Sequence, residues 1–294
     1  MKKISIFLML LCITLGANAQ LLWKVSGKDL SKPSYILGTH HLAPLSIVDS
    51  IANFKETLHS VDQVYGEVIT KEMQNPTNIQ KMQQTIILPG DTTLHTLLTE
   101  ARYDSVAATV KQLVGVELKM MDKMKPAFIT SQLSVILAMK NIKGFNPQQQ
   151  LDGWVQTEAE KQGKKIGGLE TMDYQMGVLF DSQSLMRQAE LLYGCVKYID
   201  KTEDQAIRMT NAYMKQDLKE LNAIINEKMG NCYDALPEEE DKLLYNRNSN
   251  WSKLMPSIMK ANSTLFVVGA GHLLGERGVL NLLKQQGYTV KAVK

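Results

Sequence analysis

Long apolar runs are scarce in this sequence, and one stands at the beginning of the chain. The run from Ile4 to Leu15 holds about a dozen residues, fewer than the roughly 20 that a membrane helix requires. Two lysines precede it and Ala17-Asn18-Ala19 follows it, which is the pattern of a secretory signal with a small-residue cleavage site. We therefore predict a signal peptide over residues 1–19, removed from a periplasmic or secreted protein that has no transmembrane anchor.

The sequence also lacks an excess of charge of either sign. Its formal net charge is +3, and without Lys2 and Lys3 of the predicted leader it falls to +1. Binding to nucleic acid requires a concentrated positive surface, and no basic stripe with interleaved aromatic residues is present. We predict that nucleic acid is not a partner.

Cysteine is rare, with three in the chain, and Cys12 falls within the predicted leader. The other two, Cys195 and Cys232, lie on neighbouring predicted helices. In an oxidising compartment they could pair, but a sequence cannot place their Cα atoms within bridging distance. A disulfide and two free thiols both remain open.

Several catalytic signatures are absent. There is no His-Glu-x-x-His, which excludes a thermolysin-like zinc site, and no Gly-x-Ser-x-Gly, the turn that carries a serine nucleophile. No histidine lies near the two remaining cysteines, which weakens the case for a cysteine nucleophile.

One motif is present twice. Gly-x-x-His ends the apolar run Ser34 to Leu37, as Gly38 to His41, and it ends the run Leu265 to Val268, as Gly269 to His272. A histidine just past a buried strand lies at the carboxyl edge of a sheet, where open α/β folds bind ligands, and glycine lets the backbone turn there without a Cβ clash. Two such loops can converge on one metal ion or one substrate.

Each motif is followed by a predicted helix and then a predicted strand. The ranges are 47–58 and 61–69 after the first motif, and 278–286 and 288–293 after the second. A hairpin formed by 21–25 and 33–37 opens the domain. We predict an α/β fold in which residues 20–294 form a single domain. Its mixed central sheet comes from two related β-(GxxH)-α-β halves, separated by a large, mostly helical insertion over about 90–250 that contains a short strand near 165–170.

The two motifs and one acid suggest a metal site. His41 and His272 would supply two imidazole nitrogens, and Glu67, in the strand after the first motif, would supply a carboxylate. An ionised glutamate among apolar neighbours is costly unless a cation or several donors meet it. A crossover from the first motif places this strand beside or near the first one.

Structural alternatives exist for these residues. A lone histidine after a strand is more often a structural residue than a ligand, and it is the matching context of the two motifs that favours function. His40 has three readings: a ligand in place of His41, a donor that orients it, or a contact to substrate.

Separate stretches of the chain resemble one family. They are Tyr35 to His41, Tyr65-Gly66-Glu67-Val68, Leu169-Glu170-Thr171 with Gln175, Arg247-Asn248 with Trp251, Phe266 to Leu273 with Gly275-Glu276, and Gly287-Tyr288-x-Val290. In this order and spacing they resemble the TraB/GumN family, which includes the Tiki proteases. The likeness spans nearly all of the chain after the predicted leader.

The resemblance implies an α/β domain of two related halves with a divalent-metal hydrolase site. Carried over to this sequence, His41, Glu67 and His272 form its core, and Glu170 and Arg247 are candidate site residues. The Tiki members of the family are metalloproteases that favour manganese or cobalt and trim peptides outside the cell, so the resemblance implies one of these two metals, with zinc as a further candidate. Other relatives are linked to peptide pheromone shutdown or polysaccharide clusters, and a distant branch binds haem, so the resemblance fixes no substrate.

Two functions from different classes follow. In the first, an exported metal-dependent hydrolase acts on a peptide or another small substrate. In this hydrolase Glu170 accepts a proton from water, and Arg247 stabilises the oxyanion or binds a substrate carboxylate. In the second, an exported binding protein sequesters a peptide or haem without turnover. A structural reading also stands for two of these residues: a helix-start acid for Glu170 and a salt bridge for Arg247.

Overall fold

The computed structural model describes residues 20–294, so the predicted signal peptide lies outside the described residues. Within that range a six-stranded sheet forms in the order β4-β3-β5-β2-β1-β6. Its strands are β1 (Leu22–Ser26), β2 (Ser34–Thr39), β3 (Gln63–Gly66), β4 (Lys165–Gly168), β5 (Thr264–Gly269) and β6 (Thr289–Ala292).

The sheet is mixed, as predicted. Strands β4, β3, β5 and β2 run parallel, whereas β1 pairs antiparallel with both β2 and β6. The β1–β2 pairing confirms the predicted hairpin. Strand β5 lies between β2 and β3, so the strand that leads into Glu67 is near the first Gly-x-x-His strand but not beside it.

Thirteen α-helices surround the sheet in the described residues. They are α1 (Phe54–Ser60), α2 (Pro76–Thr85), α3 (Leu94–Leu97), α4 (Glu100–Val114), α5 (Pro126–Asn141), α6 (Leu151–Lys161), α7 (Met172–Phe180), α8 (Leu185–Lys197), α9 (Ile199–Met214), α10 (Leu218–Ile225), α11 (Pro237–Glu240), α12 (Asn246–Ala261) and α13 (Val279–Gln285). None of the helices in residues 20–294 is both long and apolar enough to cross a membrane.

The parallel strands are buried on both faces, which explains their continuous apolar sequence. Leu37 and Val267 point into one core with residues of α1, α6, α9 and α10, whereas Ile36 and Phe266 point into a second core with α12 and α13. The sheet is therefore the middle layer of an α/β sandwich.

The region predicted as a helical insertion has a core of its own. Residues of α4, α5 and α8, among them Val110, Leu133 and Leu192, pack together in a third apolar cluster. The same region adds β4 to the edge of the central sheet next to β3. The insertion thus contributes directly to the sheet edge where Glu67 lies.

Two elements are shorter than their patterns predict. The helix predicted over 47–58 is a 3-10 turn, Leu45–Asp49, followed by α1, because Asn53 adopts the left-handed conformation between them. The strand predicted over 61–69 ends at Gly66, so that Glu67 follows the strand instead of lying within it. Cys195 and Cys232 are both free thiols.

Candidate active site

Three parallel strands bring both Gly-x-x-His loops and Glu67 to one edge of the sheet. Gly38 of β2 pairs with Val268 of β5, and Gly66 of β3 pairs with Val267 of the same strand. His41, Glu67 and His272 each follow one of these paired residues within a few positions. The carboxyl ends of parallel strands meet at a common edge, which is where α/β folds bind ligands.

The first glycine of the first motif is required by a close contact. A Cβ at Gly38 would lie 2.6 Å from Cδ1 of Leu273, the residue that follows His272. The phenol of Tyr213 in α9 donates to the Gly38 carbonyl at 2.9 Å. Glycine here lets the two motif loops pack directly on each other, and its φ is not in the left-handed region.

Glu67 and Glu170 are held side by side by backbone pairing past β3 and β4. The Glu170 N–H donates to the Glu67 carbonyl at 2.9 Å, and the Gln175 amide donates to both carboxylates at 3.0 and 3.2 Å. The Gly269 N–H donates to Glu67 Oε1 at 2.8 Å. Burial alone would raise the pKa of Glu67, but His272, Arg247 and this N–H together lower it, so the carboxylate is ionised.

Arg247 pairs with both carboxylates. Its Nη2 donates to Glu67 at 2.5 Å and to Glu170 at 2.8 Å, while Nε donates to Glu170 at 3.1 Å. The guanidinium also stacks 4.7 Å from the ring centre of buried Trp251, whose indole N–H donates to Glu170. A buried arginine with two carboxylates is the ion network that the salt-bridge interpretation of Arg247 predicts.

His272 is buried and neutral. Its Nδ1 lies 2.6 Å from Asn248 Oδ1, and its Nε2 lies 3.0 Å from Nη1 of Arg247. The Asn248 amide nitrogen donates to the Arg277 carbonyl, which fixes Oδ1 as the acceptor and Nδ1 as the protonated ring nitrogen. Burial, together with the Arg247 charge, lowers the pKa of His272 to about 4 against the opposing charge of Glu67. The unprotonated Nε2 therefore accepts the hydrogen bond from Nη1 of Arg247, and Oε1 of Glu67 lies 3.8 Å from it.

His41 stands in a different environment. Its side chain is 58% exposed, and its Nδ1 lies 3.1 Å from Oδ2 of Asp152 in α6. The Asp152 charge raises the pKa of His41 to about 9. The other carboxylate oxygen of Asp152 accepts from the Thr39 hydroxyl at 2.7 Å, whereas buried Oδ2 makes no well-aligned hydrogen bond.

His40 turns away from its neighbour toward α9. Its Nε2 lies 3.0 Å from the hydroxyl of buried Thr210, and its ring packs 5.5 Å from that of Tyr213. Burial, followed by the charge of His41, lowers the pKa of His40 to about 4. The residue that orients His41 is Asp152, which the sequence patterns do not single out.

The model of the TraB/PrgY/gumN family matches residues 21–292, nearly the whole described chain. The chain belongs to this family. It is 23% identical to the metalloprotease TIKI2 of Danio rerio over 92% of its own length, and 22% identical to a metalloprotease TIKI homolog of Amphimedon queenslandica over 95%. The metalloprotease TIKI1 of Homo sapiens is 23% identical over 88%.

The TraB/PrgY/gumN chain spans about three fifths of these relatives, namely 60%, 62% and 59% of their lengths. No solved structure matches it at a significant level. The family relationship and the mixed α/β sheet agree with the resemblance that the motifs carry.

The donor types at the sheet edge suit a divalent ion, which binds imidazole nitrogen and carboxylate oxygen. His272 presents an unprotonated Nε2, and with Nδ1 of His41 toward Asp152, its Nε2 is the nitrogen left for a ligand. Within residues 20–294, however, no three histidine, cysteine or acidic side chains are already gathered closely enough to hold an ion. The guanidinium of Arg247 lies between Glu67 and His272 in this arrangement.

Proposed function

We propose that this protein is an exported, divalent-metal-dependent hydrolase that acts on peptides, with residues 20–294 forming its single domain. One observation supports it above others: two imidazoles and a carboxylate from distant parts of the chain lie at one sheet edge, and His272 has an unprotonated Nε2 that lies 3.8 Å from Glu67 Oε1. The metalloprotease names of its relatives point the same way.

His41, Glu67 and His272 would hold the ion, with manganese or cobalt as the first candidates and zinc as the next. When bound, such an ion lowers the pKa of a water ligand toward neutrality and polarises a carbonyl group. The chain's own part is to position the donors: Asn248 holds the proton of His272 on Nδ1, which leaves Nε2 for a ligand, and Asp152 orients His41. A carboxylate such as Glu170 is the base that accepts a proton from water.

Arg247 would change partners during the reaction. It is fully engaged by Glu67, Glu170 and His272, and a cation near these groups would compete with it. A guanidinium freed from one carboxylate presents its N–H groups to a substrate oxygen, either an oxyanion or a terminal carboxylate. His40, on the neighbouring loop, is the proposed contact to the rest of the substrate.

A second function is favoured by the same arginine. Because Arg247 already pairs with both buried carboxylates, neither is left without a partner when no ion is bound. An exported protein that sequesters a peptide or haem between the sheet and the helical insertion, without turnover, is consistent with this arrangement.

Metal content and cleavage together separate the two functions. The purified mature protein is analysed for bound metal and then incubated with a peptide library in the presence of Mn²⁺ or Co²⁺. The hydrolase predicts about one ion per chain and cleavage that is lost in the double variant His41→Ala, His272→Ala. The matched control is His59→Ala, His95→Ala, which changes two exposed histidines outside the site.

Cleavage that survives the first double variant would eliminate the proposed metal mechanism. Stoichiometric binding of peptide or haem without any cleavage would instead establish the sequestering function. If the control double variant loses activity as well, the loss reflects general damage to the protein and the first variant has to be replaced by His41→Gln, His272→Gln.

A further inference from the structure

A large open cavity lies next to the candidate site and takes no part in the chemistry described so far. Its volume is about 910 Å³, within the ~300–1,000 Å³ typical of ligand pockets. It is lined by the end of α7, the first half of α9, the end of α10 with the loop that follows, and the turn Asp241–Tyr245.

The cavity shares part of its wall with the second Gly-x-x-His loop. Ile225 and Leu244 line it and also lie against the second loop, since a Cβ at Gly271 would be 3.6 and 3.9 Å from their side chains. Helix α9 lines it with Arg208, whereas Thr210, two residues further on and on the opposite side of the helix, contacts His40. The cavity therefore borders the second loop of the candidate site and is separated from the first by α9.

The turn Asp241–Tyr245 ties the cavity to Arg247 as well. It is a π-helical turn, a rare conformation that is frequent at functional sites. The carbonyl of Leu243 accepts from Nη1 of Arg247 at 3.0 Å, while the Leu243 side chain lines the cavity. A ligand that moves this turn would therefore change the hydrogen bond between the Leu243 carbonyl and Arg247.

Most of the charged groups of the cavity wall are paired with one another. Arg208 pairs with Asp204 and Glu227, each at 2.7 Å, and Lys228 pairs with Glu240. Charges already paired in this way offer little to an ionic ligand, because a new ion would have to displace an existing partner.

The uncharged part of the wall is made of polar side chains, such as Gln183 and Thr202, and of apolar ones. Leu179, Met229 and Leu243 line the cavity and are each more than 40% exposed, although they are large hydrophobic residues. Covering them would remove apolar area from water, which is the main favourable term in binding of apolar groups. A methionine among them adapts to different shapes.

The loop from Asn226 to Leu236 forms a rigid rim. The Asp234 carboxylate accepts three backbone N–H groups of this loop, and the Arg187 guanidinium donates to the carbonyls of Cys232 and Asp234. A pre-formed rim lowers the entropy cost of binding.

We infer that this cavity is the substrate-binding groove for uncharged, apolar side chains of a polypeptide next to the bond at the candidate site. The inference rests on the proposed function for its substrate class. The groove binds leucine-like side chains through Leu179, Met229 and Leu243, and it binds them whether or not a metal is present.

The test measures peptide binding to the metal-free protein, so that turnover plays no part. The probe is a fluorescein-labelled, uncharged decapeptide with two adjacent leucines at its centre, compared by anisotropy with a counterpart that has two serines there. We expect the leucine peptide to bind at least tenfold more tightly, and Leu179→Asp to weaken its binding at least tenfold. Leu254→Asp, an equally exposed leucine on α12 outside the cavity, should change the Kd less than twofold.

A second measurement locates the peptide. A benzophenone attached to exposed Cys232, in a Cys195→Ser background, should crosslink the leucine peptide at the rim. If Leu179→Asp fails to melt cooperatively, Met229→Asp in the rim takes its place. Equal binding of both peptides, equal effects of the Leu179 and Leu254 variants, or no crosslink would each overturn the inference.

The outcomes separate this inference from the proposed function. Binding that depends on Leu179 without cleavage under any metal keeps the groove and removes the hydrolase. Cleavage with a KM that Leu179→Asp leaves unchanged keeps the hydrolase and removes the groove.

Discussion

His41 and His272 end the same motif on neighbouring parallel strands, yet their surroundings are opposite. His41 is 58% exposed, and the Asp152 charge raises its pKa to about 9. His272 is 4% exposed, and burial, with the Arg247 charge, lowers its pKa to about 4. At neutral pH one imidazole is charged and the other is neutral.

The difference comes from residues far from either motif. Asp152 is in the first turn of α6, and Arg247 is in the first turn of α12. The motif places an imidazole at the sheet edge, and helices from the rest of the chain decide its charge. A repeated motif therefore predicts position better than chemistry.

The largest expected effect is a loss of stability in the ion network beside buried His272. Arg247→Ala leaves Glu67 and Glu170 buried without their cation, and breaking a buried ion pair in this way costs about 3–5 kcal/mol. Urea unfolding of the metal-free protein measures the loss. The same variant should raise the pKa of His272 above about 4, because a positive neighbour is removed.

The matched control is Arg208→Ala. That arginine also pairs with two acids, Asp204 and Glu227, but all three are well exposed to solvent, so its loss should cost only ~0–1 kcal/mol. Equal losses of unfolding free energy in the two variants would show that the buried ion network contributes no more to stability than an exposed one.

The next largest effect concerns the pKa of His41, the exposed histidine. Asp152→Asn removes the charge that holds His41 protonated, so the pKa of His41 should fall from about 9 toward its ordinary value near 6.5, while that of His272 stays near 4. Histidine ring signals followed by NMR across pH 4–10 measure both. If His41 is a metal ligand, loss of its orienting partner should also weaken metal binding by about 10–100-fold.

Asp173→Asn is the control for this change. Asp173 is an exposed acid paired with Lys81, away from both histidines, and its loss should leave both titrations and the metal affinity unchanged. A pKa of His41 that stays near 9 in Asp152→Asn would show that another group charges it.

The motif glycines offer a smaller, purely steric comparison. A Cβ at Gly38 would lie 2.6 Å from Leu273 and 3.3 Å from Ala270, whereas a Cβ at Gly269 meets its nearest neighbours, Glu67 and His272, at 3.4 Å. Gly38→Ala should therefore destabilise the protein by about 1–3 kcal/mol, as overpacking does, and Gly269→Ala by less. Thermal unfolding of the two variants side by side decides the order, and the reverse order would contradict the observed loop packing.

Much of this arrangement could be predicted from local patterns. The hairpin, the mixed sheet and the family follow from alternating apolar runs, turn residues and motif order. Asp152 could not be found in this way, because an acid in the first turn of a helix is expected anyway from the helix dipole. Its contact with His41 joins residues 111 positions apart, and no local pattern reports such a pairing.

The roles of Arg247 and His40 were also beyond local patterns. Sequence reasoning leaves Arg247 open between a salt bridge and a substrate contact, and the structure shows the ion pairs without testing the substrate contact. The contact of His40 with Thr210 depends on how α9 crosses the sheet edge. Long-range packing decides such contacts, and strand and helix periodicity carry no information about it.

The smallest effect follows from the sign of the two pKa shifts. The raised pKa of His41 contributes stability that is complete below about pH 6.5 and is lost as the pH rises through about 9. The lowered pKa of His272 contributes stability that is complete above about pH 6.5 and is lost as the pH falls toward 4. His41 and His272 should therefore lower stability on opposite sides of pH 6.5. Because His41 is largely exposed, solvent weakens its share.

Urea midpoints at pH 5, 6.5 and 9.5 measure these slopes. Asp152→Asn should flatten the decline from pH 6.5 to 9.5, and His272→Gln should reduce the decline from 6.5 to 5. The acid-side decline should not vanish in His272→Gln, because the pKa of His40 is also lowered to about 4. Cys195, whose pKa burial raises, also lowers stability at alkaline pH, so Cys195→Ser is the background for all three proteins. If one variant flattens both slopes, the two histidines are coupled through the shared sheet edge and do not titrate independently.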